Sequence, residues 1–232
     1  MGKGRILYKA SACSRGKQNY NKVSKVFHWS IALLILGLLA VGFYMVGMEP
    51  APFKYKIYGW HKALGITVIA LAVLRIIWTL RTQKPKPLST HKNWEKGLSK
   101  TIHIVLYLAM IGMPMSGWIM SSAGGYPVSF FGLFEVPSIV EKNKELGALA
   151  NQIHEILGYV LIVCAGLHVV GALKHHVIDK DETLRRMGGH FVLGVLGLIV
   201  LAIAFFFPAQ RFVSDLSAKE VVQDDSGHES TP

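Results

Sequence analysis

Residues 154–176 read HEILGYVLIVCAGLHVVGALKHH, an apolar stretch with a histidine at 154, another at 168 and a basic cluster behind the second. About 20 apolar residues cross the hydrocarbon core of a bilayer as a helix, so the pattern predicts a transmembrane helix over 153–173. His154 and His168 are 14 residues apart. At ~1.5 Å and ~100° per residue this is about 21 Å along the axis and within about 40° of the same face. An imidazole inside a membrane is costly and marks a functional site. One helix therefore offers two ligands on one side, separated by most of a bilayer.

Four further apolar runs lie outward from this stretch, at 27–46, 61–80, 101–120 and 190–207. The last holds 17 unbroken apolar or small residues, Phe191 to Phe207, near the lower limit for a span. The chain has 232 residues, is 51% hydrophobic and has a positive mean hydropathy. The expected fold is an all-α integral membrane protein, a four-helix transmembrane bundle followed by a fifth transmembrane helix. The expected organisation is a basic arm over 1–20, a four-helix core over 21–187, an extra helix over 188–210 and a polar, disordered tail over 211–232. The first run starts too late and is too long for a cleavable signal.

The net charge of +11 is read as membrane topology rather than nucleic-acid binding. Residues 1–26 carry seven Lys/Arg and no acid; 81–100 carry Arg81, Lys84, Lys86, Lys92, Lys96 and Lys100. Lys174, Lys180, Arg185 and Arg186 follow the fourth run. The other two connections are poor in Lys/Arg, with Lys54 and Lys56 in one and Lys142 and Lys144 in the other. Excess Lys/Arg marks the cytoplasmic side. This places the N-terminus inside and the C-terminal tail outside, with 121–152 as an outer segment that caps the bundle and lays Ser129 to Phe134 on the membrane surface.

Depth then pairs the histidines. His28 enters on the inner side and His61 on the outer side. The partners are His61 with His154 outside and His28 with His168 inside. Each of the four has a small residue four positions later: Ala32, Gly65, Gly158 and Ala172. Residues i and i+4 share a face, so the pattern suits a flat macrocycle beside each ligand, as well as ordinary helix packing. His103 has Tyr107 at that position and fails the test as a ligand. It reads equally as an interface residue or as a quinone or propionate contact. Two isolated His–His pairs do not make four-coordinate zinc sites. Glu155 flanks His154 and is expected to face the surface, and His175 and His176 suit capping of a helix C-terminus. Arg75 follows His61 by 14 residues, level with the inner pair. Its guanidinium either meets a haem propionate or quinone oxygen, or snorkels to the interface. Cys13 and Cys164 are the only cysteines, and no Cys-x-x-Cys-His motif attaches a haem covalently.

The stretches 21–29 (NKVSKVFHW), 61–75 (HKALGITVIALAVLR), 113–118 (MPMSGW), 128–133 (VSFFGL), 154–159 (HEILGY) and 166–176 (GLHVVGALKHH) resemble the prokaryotic cytochrome b561 family. The resemblance covers about 20–187. It implies a four-helix bundle in the bacterial inner membrane holding two haem b groups, with His28, His61, His154 and His168 as axial ligands. It also implies electron exchange with quinone, ubiquinone in particular, and superoxide as one type of periplasmic donor. Lys54, Lys56 and Lys62 suit attraction of that anion, while Glu49, Glu135, Glu141, Glu145 and Glu155 on the same side oppose it. The reading these features support is a haem oxidoreductase passing electrons between a periplasmic donor and the quinone pool. The alternatives are a cytochrome b subunit of a hydrogenase or formate dehydrogenase complex, and a histidine-based proton or metal-ion transporter. A transporter calls for broken helices and internal repeats, and the sequence has neither.

Overall fold

Long helices follow from long apolar runs, and the computed structural model contains four of them among the residues it describes, 19–83, 85 and 92–188. They are α1 (Lys22–Val46), α2 (Pro52–Arg81), α3 (Asn93–Ala123) and α4 (Lys144–Val177). Each is long and apolar enough to cross a membrane. A short hairpin, β1 (Val128–Phe130) and β2 (Phe134–Val136), joins α3 to α4, and a five-residue helix, α5 (Thr183–Met187), comes last. The expected fifth span at 190–207, the polar tail and residues 1–18 of the basic arm lie outside the described residues.

The helices begin earlier than the apolar runs. α2 starts at Pro52 rather than 61, and α4 at Lys144 rather than 153. Hydropathy reports only the lipid-immersed part of a helix, whereas its hydrogen bonding continues into the polar interface until a cap ends it. Asn21 caps α1 by accepting from Ser24 N at 2.7 Å, and Asn143 caps α4 by accepting from Leu146 N at 3.0 Å. Pro52 opens α2, where a missing N–H costs nothing.

The helices pack in sequence, α1 on α2, α2 on α3 and, most extensively, α3 on α4. Ile31, Val68, Ala72 and Met110 form one buried cluster, drawn from α1, α2 and α3. Leu39, Ala109 and Leu161 form another, drawn from α1, α3 and α4. Much of the remaining apolar surface points outward; Leu80, for example, is 81% exposed. Helices apolar on all sides belong in lipid.

The segment after α3 is more ordered than a simple cap. β1 and β2 pair antiparallel with Val128 opposite Val136 and Phe130 opposite Phe134. Phe131 and Gly132 both have positive φ, +52° and +78°, and Leu133 N donates to Phe130 O at 3.0 Å. These are the features of the tight turn that matches strand twist.

Candidate functional site

His28 of α1 and His61 of α2 each face a histidine of α4, and the four bundle histidines meet in two pairs. The His28 and His168 rings are 6.1 Å apart between centroids, at 69° to one another. The His61 and His154 rings are 6.4 Å apart, at 72°. A metal ion sits about 2 Å from an imidazole nitrogen, so two imidazoles on opposite sides of one ion have centroids roughly 6 Å apart. Both pairs have that spacing, which fits a six-coordinate haem iron held from two helices.

At the His61/His154 end, the polar surroundings select a tautomer. His154 Nδ1 lies 2.9 Å from Met113 O and 3.0 Å from Ser116 Oγ. A carbonyl only accepts, so Nδ1 carries the proton and Nε2 is left with a lone pair for a metal. The Ser116 hydroxyl donates to the same carbonyl at 2.7 Å, which fixes its own orientation. Outer hydrogen bonds of this kind hold a ligating ring in place. His61 Nδ1 is buried and has no hydrogen-bond partner among the described residues. The two histidines of this pair are thus unequally supported.

Glycines provide the room. A Cβ on Gly117 would lie 3.1 Å from His154 Cε1, and one on Gly42 would lie 3.5 Å from His61 Cε1. The small residues anticipated from the i+4 pattern behave differently. Gly65 faces Pro114 and Gly158 faces Met113 at ordinary contact distances, so helix packing accounts for them. Sequence reasoning missed Met113, Ser116 and Gly117 as site residues. Their signal was the MPMSGW stretch, a proline inside a helix followed within one turn by Ser-Gly.

The His28/His168 end is richer in polar groups. Arg75 Nη2 donates to His28 Nδ1 at 3.2 Å, and its guanidinium lies over the Tyr107 ring at 5.5 Å. Arg75 is therefore turned into the bundle rather than only toward the interface. His103, exposed on α3, brings its ring within 5.0 Å of His168, closer than the rings of either histidine pair. Its Nδ1 donates to Ser99 O at 2.6 Å. Trp78 Nε1 donates to Ser24 Oγ at 3.2 Å and joins α2 to the start of α1 beneath His28. Glu155 is exposed, and His175 sits 2.7 Å from Asp179 rather than in the bundle. Lys62 donates to Pro127 O at 3.0 Å, so its ammonium is engaged with the hairpin.

A family model described as prokaryotic cytochrome b561 matches residues 19–190. Cytochrome b561 homolog 2 of Escherichia coli strain K12 is 34% identical over 173 residues, 74% of this chain and 92% of the relative. Cytochrome b561 homolog 1 of the same organism is 31% identical, over 72% of this chain and 96% of the relative. A probable superoxide oxidase of Yersinia pestis is 28% identical, over 73% of this chain and 96% of that protein.

Proposed function

The chain belongs to the prokaryotic cytochrome b561 family, b-haem electron-transfer proteins of the bacterial inner membrane, and from that membership we propose that it relays electrons between a donor at the His61/His154 end and quinone at the His28/His168 end. The observation that carries this reading is the equal, metal-spanning separation of the two histidine pairs, 6.4 and 6.1 Å. His61 and His154 would hold one haem b, and His28 and His168 a second. Bis-histidine haem supplies one-electron exchange at an iron with no open position, which suits relay rather than oxygen binding.

The protein's own groups divide the work by end. Met113 O and Ser116 keep the His154 proton on Nδ1 and leave Nε2 for iron. At the other end, His28 offers Nε2 to iron only when its proton sits on Nδ1, which the Arg75 N–H now occupies. With the His28 proton on Nδ1, Arg75 would be available to pair with an anion such as a haem propionate or a quinone oxygen. His103, exposed beside His168, is placed to meet quinone arriving from the membrane. Superoxide is the proposed donor, in keeping with the relative named as a probable superoxide oxidase. Lys56 favours an anion there, whereas Lys54 is bonded to Met48 O as Lys62 is to Pro127 O. The excess of Lys/Arg near the His28/His168 end supports a cytoplasmic placement of that end.

A pyridine haemochrome assay on protein made with ample haem is expected to give about two haems per chain, the number that four paired ligands saturate. In potentiometric titration, His61→Ala and His154→Ala should remove one component, and His28→Ala and His168→Ala the other. Loss of the same component by His28→Ala and His61→Ala would overturn the pairing.

A further inference from the structure

The hairpin between α3 and α4 keeps β1 against α2 and α3 and leaves its tip uncovered. Lys62 holds one side through Pro127 O at 3.0 Å. Trp118 Nε1 holds the other by donating to Pro137 O at 3.1 Å. Val128 is buried. The tip carries Phe131, Leu133 and Phe134, all exposed, with Leu133 at 78%.

Three observations give the tip a direction. The Phe131 ring packs edge-on against Trp60 of α2, with centroids 5.6 Å apart. Trp60 is itself 64% exposed and precedes the apolar run of α2, at the level where amphipathic rings prefer the membrane boundary. Leu74, 14 residues further along α2 and within about 40° of the same face, is also exposed. The tip therefore sits on the lipid-facing side of α2 and continues that surface. Phe131 reaches Trp60 from a left-handed backbone, φ +52°, a conformation rare and strained for a bulky residue.

We propose that residues 131–134 form an interfacial anchor, immersed in the headgroup–acyl boundary of the leaflet at the His61/His154 end. An apolar tip of this kind gains by leaving water, and an aromatic beside a boundary tryptophan extends the belt that sets the depth of a span. The anchor does not cap the end of the bundle. A cap would bury Leu133 and Phe134 against the helices, and here both are exposed while Phe134, among the described residues, stacks on Phe130 of the same hairpin, 5.1 Å away. The inference rests on the membrane-spanning bundle and is independent of the haem and quinone assignments.

The test uses the full-length haem-loaded chain in vesicles of phosphatidylethanolamine and phosphatidylglycerol doped with a phospholipid carrying a photoreactive diazirine near the top of its acyl chain. Crosslinks mapped by mass spectrometry should fall on 131–134 in yield comparable to Leu74 and several-fold above Glu141, on the same connection beyond the hairpin. In parallel, Leu133 and Phe134 should be protected from aqueous hydroxyl-radical oxidation. Oxidation of these residues without lipid crosslinks would show a tip standing in water and overturn the proposal. Protection without lipid crosslinks would show protein covering the tip and overturn it equally.

Discussion

A Cβ added at Gly117 would meet His154 Cε1 at 3.1 Å and Nδ1 at 3.3 Å, tighter than side chains normally pack. α3 and α4 are in close contact along their length and cannot simply part. Overfilling a packed site costs about 1–3 kcal/mol, here against the ring proposed to hold iron. Gly117→Ala is therefore expected to lower haem content toward one per chain and to remove the component lost in His154→Ala. Full haem content with an unchanged titration would show that the ring tolerates the methyl group. Arg75 gives a second prediction at this scale. Its positive charge beside His28 favours the reduced, less positive iron. Arg75→Gln should lower the potential of the His28/His168 component, with a change of about 1.4 kcal/mol corresponding to about 59 mV for one electron. The other component should stay fixed, and quinone reduction should slow. Unmoved potentials and kinetics would return Arg75 to a purely structural role.

The end of α4 is an element held by charge. Lys174 bonds Glu95 of α3 and lies 2.8 Å from Asp179, while His175 contacts Asp179 at 2.7 Å. Asp181 Oδ1 accepts from Thr183 N at 2.8 Å and starts α5. The hydrogen bond from Lys174, with its charge, holds the Asp179 carboxyl below the usual carboxylate range. A depressed folded-state value means that the contribution is present above the ordinary value of 3.8 and is lost as pH falls through the lower, folded one. Asp179→Asn should speed amide exchange in 178–182 by a few-fold at neutral pH, and the difference from the parent should vanish once Asp179 is protonated. Equal exchange at neutral pH would show that the loop is held by its backbone bonds alone, such as Asp181 N to His175 O at 3.0 Å.

At the scale of the molecule, four crossings with alternating charge set a topology that reporter fusions can read. A reporter joined after Lys180 should be cytoplasmic, on the side of the Lys/Arg excess. One joined after Pro232 should lie outside the cytoplasm if the apolar run 190–207 adds the crossing expected from its length. Cytoplasmic activity at Pro232 would show that this run does not cross. The depths of His28, His61, His154 and His168 could be read from the chain because helix rise and bilayer thickness are local constants. Alternating direction then leaves one way to match them, and the structure brings together His28 with His168 and His61 with His154. Helix ends were less legible, since α2 and α4 run through polar residues that hydropathy ignores. Hydropathy, helix rise and motif spacing alone therefore give the number of apolar spans within 19–188, the level of each histidine and the family resemblance. Only the tertiary structure decided that Met113 O and Ser116 meet His154, that Arg75 turns to His28, that His103 reaches His168 and that Phe131 lies on Trp60. Those contacts depend on how each helix is rotated about its axis and how closely it approaches its neighbour, and both are set by packing between segments distant in the chain.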